Sequence, residues 1–150
     1  MKKILITIQQ NQFSNQQIKD LQQVLLNHYQ KHVSSEKPTV IWCIVPIGQA
    51  YTEYQPSQSS LVTMECCDNF PQSQRIAMLK DCERDWLAIT GQHTDQLLLA
   101  LVESHLFQQI LKSNQGRLSA LGRLRMGLHL LKSFSLSTFR HGLLAFNPNL

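Results

Sequence analysis

The sequence lacks any apolar run long enough to span a membrane, which needs about 20 consecutive apolar residues. The apolar run at residues 4–8 ends at Gln9 and Gln10, is too short for the apolar region of a secretory signal, and is not followed by a cleavage site. With 43% hydrophobic and 16% charged residues, the composition is typical of a folded globular protein. We therefore expect a cytoplasmic protein that makes no contact with a membrane.

The four cysteines form no C-x-x-C pair, the spacing typical of redox and zinc sites. Cys66 and Cys67 are adjacent, so their side chains cannot both point to the same side of a strand. We interpret the cysteines as reduced thiols that pack as small apolar residues. His93 and the other histidines show no spacing that we recognise as a ligand set. The sequence therefore predicts no metal and no other cofactor.

Acidic residues are absent after Glu103, whereas six basic residues follow it, namely Lys112, Arg117, Arg123, Arg125, Lys132 and Arg140. The tail carries +6, and because the whole chain carries +4, residues 1–103 carry −2. A basic tail can bind nucleic acid, a small carboxylate or an acidic surface of a neighbouring subunit. No nucleic-acid motif accompanies it, so nucleic acid is an unlikely partner and a solvated helix face with subunit contacts is favoured.

The sequence repeats itself at an offset of 57 residues. Residues 40–45 (VIWCIV) align with residues 97–102 (LLLALV), both typical of buried strands. The other matched pairs are Phe13 with Phe70, Leu21 with Met78, Leu25 with Cys82, and Tyr29 with Trp86. Each unit predicts a strand, a helix and a strand, and two such units must stack to bury their apolar faces.

The first unit has a strand at residues 4–8, a helix that begins with a capping box at Ser14 and Gln17, and a strand at residues 39–45. The second has a strand at residues 60–66, a helix between Pro71 and Gly91, and a strand at residues 97–102. The pattern predicts an α+β fold with two β-α-β repeats, a four-stranded sheet and two helices on one face. The other sheet face is equally apolar, so we expect other subunits to bury it.

We expect residues 1–150 to form a single domain. Repeat one is assigned to residues 2–46, repeat two to residues 59–104 and a C-terminal extension to residues 105–150. In the extension, residues 106–111 and 118–131 have helical spacing, and residues 134–146 are expected to form a strand or hairpin around Gly142.

The chain resembles the tautomerase superfamily in a fused two-repeat form. This group includes 4-oxalocrotonate tautomerase, macrophage migration inhibitory factor and cis-3-chloroacrylic acid dehalogenase. The resemblance covers roughly residues 2–104. It rests on the amino-terminal strand, the Phe13-Ser14 helix start, the Gly48-x-x-Tyr51 loop, the ending WLAITG at residues 86–91 and the duplication. It implies a homotrimer with pockets near the amino termini.

The chemistry of the family depends on an amino-terminal proline, which acts as a general acid or base on small keto or enol acids. This chain instead begins Met1-Lys2-Lys3, and we expect Met1 to be retained because lysine is a bulky second residue. Met1, Lys2 and Lys3 are therefore the candidate amine bases. We interpret His28 and Tyr29, near the end of the first helix, as packing residues rather than acids.

Two arginines that some relatives carry correspond here to Phe13 and Ile41. Tyr51 matches the pocket aromatic of the family, and arginines elsewhere can supply a clamp for a substrate carboxylate. The candidate substrate-binding residues are Tyr51, Arg75, Arg117 and Arg123.

Two functions stay open at this point. The chain is either a tautomerase or isomerase of small keto or enol acids that uses an altered amine base, or a catalytically silent trimeric relative with a binding or structural role. The sequence leaves enzyme activity undecided.

Overall fold

The structure is a computed structural model, and it describes residues 1–116 and 120–146. Its elements in chain order are β1 (Lys3–Gln9), α1 (Asn15–His32), β2 (Thr39–Val45), β3 (Tyr51–Thr52), β4 (Gln55–Pro56), β5 (Ser60–Cys66), α2 (Gln72–Thr90), a short 3-10 helix (Thr94–Gln96), β6 (Leu97–Glu103), α3 (Ser104–Gly116), α4 (Ala120–His141) and β7 (Ala145–Phe146).

The main sheet has the strand order β6-β5-β1-β2-β7. Within each repeat the two strands run parallel, whereas β1 and β5 pair antiparallel, with Ile6 opposite Val62. The four predicted strands are present, and β7 extends the sheet by pairing parallel with β2. The short strands β3 and β4 form a separate hairpin between the repeats.

The duplication in the sequence corresponds to a duplication in space. β1 and β5 begin and end 57 residues apart. The matched helix residues all point into one core and are fully buried: Leu21, Leu25, Tyr29, Met78, Cys82 and Trp86. Two amphipathic helices therefore cover the same sheet face, as predicted.

The capping box predicted at the start of α1 is present. Ser14 Oγ accepts a hydrogen bond from the Gln17 N–H at 3.2 Å, and Gln17 Oε1 accepts one from the Ser14 N–H at 3.0 Å. At the end of α2, Gly91 adopts a left-handed conformation with φ of 68°, which favours glycine. These local devices fix where the two helices begin and end.

The two faces of the sheet differ in burial. Ile4, Ile6 and Ile8 are buried beneath the helices. On the opposite face, Leu61 on β5 is 40% exposed and its neighbour Leu98 on β6 is 63% exposed. The apolar face that the sequence assigned to subunit contacts is thus open within one chain.

The expected carboxyl-terminal helix and strand are both present, but their boundary differs from the prediction. Residues 134–141 continue α4, and the strand is confined to Ala145–Phe146. No glycine or proline interrupts residues 128–141, so the helix continues until Gly142, where φ is 69°. None of the helices within the described ranges combines the length and hydropathy of a membrane span.

Candidate functional site

The amino-terminal end of β1 brings a lysine, a serine and a glutamate together. Lys2 Nζ donates hydrogen bonds to the Cys66 carbonyl at 3.2 Å and to Ser104 Oγ, and it lies 4.0 Å from Glu65 Oε1. The antiparallel pairing of β1 with β5 and the parallel pairing of β5 with β6 carry these residues to one end of the sheet. The cluster therefore depends on strand order rather than on sequence proximity.

The buried polar residues in the described part of the chain are Ser57, Ser60 and Glu65. Of these, Glu65 carries an ionisable side chain, and 3% of its surface is exposed. Its Oε1 accepts a 3.0 Å hydrogen bond from the Ser104 hydroxyl, and its Oε2 accepts a 3.2 Å bond from the Lys3 N–H. A buried carboxylate is costly unless it is paired and hydrogen-bonded. Here both oxygens have partners and the Lys2 charge is nearby.

Arg75, a predicted substrate-binding residue, lies on α2 beside this cluster. Its guanidinium donates to the Leu101 carbonyl and to Glu103 Oε1, the latter at 3.1 Å, and it lies 5.9 Å from the centre of the Phe70 ring. Since Glu103 directly precedes Ser104, Arg75 is connected to the Lys2 cluster through β6. Its charge is already paired within the subunit.

An exposed pair continues the same end of the sheet. The ring atom Nδ1 of His105 lies 2.9 Å from Asp68 Oδ1, and the backbone N–H of His105 donates a hydrogen bond to the same oxygen at 3.0 Å. These two hydrogen bonds, the backbone one first, hold the pKa of Asp68 below its ordinary value.

The other predicted residues are placed differently. Met1 is 89% exposed, and Tyr51 is 61% exposed on the β3–β4 hairpin. β2 begins beside Lys3 and the hairpin follows its far end, so the length of a seven-residue strand, about 20 Å, separates Tyr51 from Lys2 within one subunit. Arg117 lies outside the described residues, as does the side chain of Arg123 on α4.

Phe13 and Ile41, which stand where some relatives carry arginines, have apolar surroundings. Phe13 packs edge-on against Trp86 with ring centroids 6.2 Å apart. Ile41 lies on β2 opposite Leu5 of β1, on the open face of the sheet. Among the described residues, the partners given for these two positions are apolar, and none of them is a cation.

A cavity of about 380 Å³ lies near the carboxyl end of β1. It is lined by side chains that include Ile8, Phe13, Trp42 and Leu143, and none of its described lining residues is ionisable. The amide residues Gln9, Gln10, Asn11 and Asn15 also line it, so the described lining combines apolar and amide groups but offers no charged acid, base or anion clamp. Leu143 comes from the C-terminal extension, which no short-range pattern connects with β1.

Glu65 and Ser104 were not predicted from the sequence. The available signal was a glutamate inside the apolar run at residues 60–66, where a buried charge requires a partner. The identity of that partner depends on the strand order. The described part of the site thus joins two predicted residues, Lys2 through its amine and Lys3 through its backbone N–H, to two that the sequence analysis did not select.

Neither a model of a protein family nor a curated protein matches the sequence. Solved structures do match the fold. Pt0534 inactivated by 2-oxo-3-pentynoate is 13% identical, with a TM-score of 0.60 over 67% of this chain and 84% of that chain. The symmetric trimer of wild-type fused 4-OT is 10% identical, with a TM-score of 0.58 over 67% and 84%.

N1, a member of the cis-3-chloroacrylic acid dehalogenase family, is 7% identical to this chain. Its TM-score is 0.61 over 67% of this chain and 73% of that chain. At these identities the likeness concerns the fold alone. The chain has the fold of the tautomerase superfamily.

Proposed function

We propose that this chain is an isomerase of small keto or enol acids in which a primary amine at the amino terminus replaces the proline of the family. The observation that carries the proposal is the contact of Lys2 with Ser104 and Glu65. Lys2 directly follows Met1 in this sequence, and the resemblance places the proline of the family at this position. A lysine amine can move a proton if a neighbouring group accepts the proton of its ammonium form.

The contacts allow such a transfer. The Lys2 ammonium donates to Ser104 Oγ, and the Ser104 hydroxyl has two acceptors within reach, Glu65 Oε1 at 3.0 Å and the Cys66 carbonyl at 2.8 Å, of which the transfer uses Glu65. A proton shift along these two bonds leaves a neutral amine and a neutral carboxyl group. The amine then accepts the hydroxyl proton of an enol acid and returns a proton to the substrate carbon. No net proton is consumed.

We propose Lys3 and the Met1 amine as further cationic groups that attract the substrate carboxylate. Tyr51, Arg75, Arg117 and Arg123 remain proposed substrate-binding residues. Since Tyr51 lies at the far end of the sheet from Lys2 of the same subunit, it would serve the site of a neighbouring subunit. The open apolar face with Leu61 and Leu98 supports self-association, and the trimeric state of fused 4-OT supports a homotrimer.

The alternative is a catalytically silent binding or structural protein with the same fold. A specific observation favours it: the Lys2 amine already contacts the Cys66 carbonyl, Ser104 and Glu65 within the subunit. In addition, Glu65 is buried at 3% exposure, so a substrate does not reach it directly. Such a protein would bind a small carboxylate without turnover.

An enol-to-keto assay with phenylenolpyruvate and 2-hydroxymuconate tests the proposal. The protein carries no tag, and its intact mass establishes whether Met1 is present. Lys2→Gln is expected to lower kcat/KM by about 100-fold or more, the contribution of a positioned general base. Lys80→Gln, which removes an exposed lysine of α2, is the matched control and retains the rate.

Three outcomes separate the alternatives. A rate that is lost on acetylation of the α-amine but kept in Lys2→Gln assigns the base to Met1 and contradicts the role of Lys2. A rate that no amine substitution changes contradicts an amine base altogether. Absence of turnover above a heat-treated control establishes the silent alternative.

Covalent trapping provides an independent readout. The reagent 2-oxo-3-pentynoate, which inactivated Pt0534, carries an alkyne conjugated to a keto acid that a neutral amine attacks. Peptide mass mapping is expected to find the adduct on Lys2 and none on Lys80. An adduct confined to the exposed thiol of Cys67 would count against the amine site.

A further inference from the structure

Two histidines of α1 face two aspartates of α2 on the helix layer, away from the Lys2 cluster. His28 Nε2 lies 2.7 Å from Asp85 Oδ2, and His32 Nε2 lies 3.0 Å from Asp81 Oδ2. Both pairs of residues are four positions apart, so each pair occupies one face of its helix. The packing of α1 against α2 brings the two faces together.

The distances among three of these groups suit a single metal ion. The ligand nitrogens of His28 and His32 and a carboxylate oxygen of Asp81 all lie within 4.8 Å of one another. Zinc binds imidazole and carboxylate at about 2.0–2.2 Å, which places tetrahedral ligand atoms about 3.4 Å apart. Closing the cluster onto an ion therefore needs side-chain adjustments of roughly an ångström, without a change in the backbone.

The cluster is also sheltered from solvent. The side chains of His28, His32 and Asp81 are 12%, 13% and 21% exposed, whereas His93, which pairs with Asp95 at 2.9 Å, is 81% exposed. A site with two imidazoles and a carboxylate has the mixed nitrogen and oxygen ligands that first-row divalent cations prefer. We propose that His28, His32 and Asp81 bind one Zn²⁺ ion, which joins α1 to α2, and that Asp85, which lies 2.7 Å from His28 Nε2 and is 33% exposed, turns to supply the fourth ligand.

Two cations compete for the same carboxylates. Lys31 Nζ lies 2.9 Å from Asp81 Oδ2, and Arg84 lies 3.1 Å from Asp81 Oδ1 and 2.8 Å from Asp85 Oδ1. Both side chains are more than 60% exposed, so each can turn into solvent when the metal ion binds. Lys31→Gln is therefore expected to increase the affinity for zinc, because it removes a competing charge.

Zinc titration of the full, untagged and chelator-stripped chain tests this site. A chromophoric chelator that competes for the metal reports the affinity and the stoichiometry, and Co²⁺ reports the coordination through its visible absorption. We expect one ion per chain. The double variant His28→Ala, His32→Ala is expected to bind at least about tenfold more weakly. Asp81→Asn, which preserves side-chain volume, is expected to change the cobalt spectrum.

Two control variants make the assignment specific. His93→Ala removes an exposed histidine that also pairs with an aspartate, and His105→Ala removes the histidine of a second, more exposed group with Asp68 and Glu103. The proposal would be overturned if the zinc affinity fell in either control variant but was retained in the double variant His28→Ala, His32→Ala. Wild-type affinity no greater than that of the double variant would show that the four residues form an ion-pair network only.

Discussion

The hydroxyl of Tyr29 donates a 2.6 Å hydrogen bond to the backbone carbonyl of Glu65. This bond links α1 to β5 next to the carboxylate that contacts Ser104. Burial, followed by the nearby charge of Glu65, raises the pKa of the Tyr29 phenol above its ordinary value. Tyr29 is thus a neutral donor that holds the backbone of β5, which agrees with its interpretation as a packing residue.

Replacing Tyr29 with phenylalanine is expected to destabilise the protein by about 1–2 kcal/mol, because it leaves the buried Glu65 carbonyl without its donor. The free energy of unfolding from urea denaturation measures the effect. Tyr51→Phe removes an exposed hydroxyl and is expected to change stability by less than about 0.5 kcal/mol. Equal stabilities for Tyr29→Phe and the wild type would show that this bond contributes nothing.

A charge on the open sheet face is expected to disrupt self-association. Leu98→Asp places a carboxylate in a predicted apolar interface, where an unpaired buried charge costs several kcal/mol. Light scattering after size-exclusion chromatography is expected to show a smaller species, with circular dichroism unchanged. Ile76→Asp, on α2 at 45% exposure, is the matched control and keeps the oligomer. An assembly that tolerates Leu98→Asp would have its interface elsewhere.

The four cysteines are expected to differ in reactivity. Cys67 is exposed, whereas Cys66 and Cys82 are fully buried. Burial raises the pKa of Cys66, and it raises the pKa of Cys82 to about 12, so little reactive thiolate forms at pH 8. Mass spectrometry after brief iodoacetamide treatment is expected to find Cys67 modified first and Cys82 last. Urea-unfolded protein provides the control, since all four thiols then react.

Asp81 is expected to contribute to acid sensitivity. Hydrogen bonds from Lys31 and then His32 hold the pKa of Asp81 below its ordinary value of 3.8. The unfolded chain therefore takes up this proton at a higher pH than the folded chain does. The stability contributed by Asp81 is present above about pH 4 and is lost as the pH falls toward the folded-state pKa.

Urea midpoints measured between about pH 5 and about pH 3 check this expectation. Asp81→Asn is expected to reduce the fall in stability over that range. Asp20→Asn, an aspartate on the exposed side of α1 that accepts a hydrogen bond from the neutral Gln16 amide, serves as the control. A profile for Asp81→Asn that parallels the wild type would contradict the role of these hydrogen bonds.

The sequence by itself determined the repeat, the helix ends and the two-faced sheet. Helical periodicity is a local property of the chain, so the sequence showed that Leu25 and Cys82 occupy matched core positions. Caps act within a few residues, so Ser14 and Gly91 marked helix ends. The length of α4 was less predictable, because residues 134–141 include both residue types that favour strands and residue types that favour helices. The helix ends only at Gly142.

The tertiary structure alone decided which side chains meet. Lys2 reaches Ser104 across 102 residues, and His28 reaches Asp85 across 57, because strand order and helix packing set these contacts. Hydrogen bonds and ion pairs act over a few ångströms, so a shift of one residue in the β1–β5 register would turn Glu65 to the other face of the sheet. Periodicity specifies the faces of each element, and the register between elements specifies the chemistry at the site.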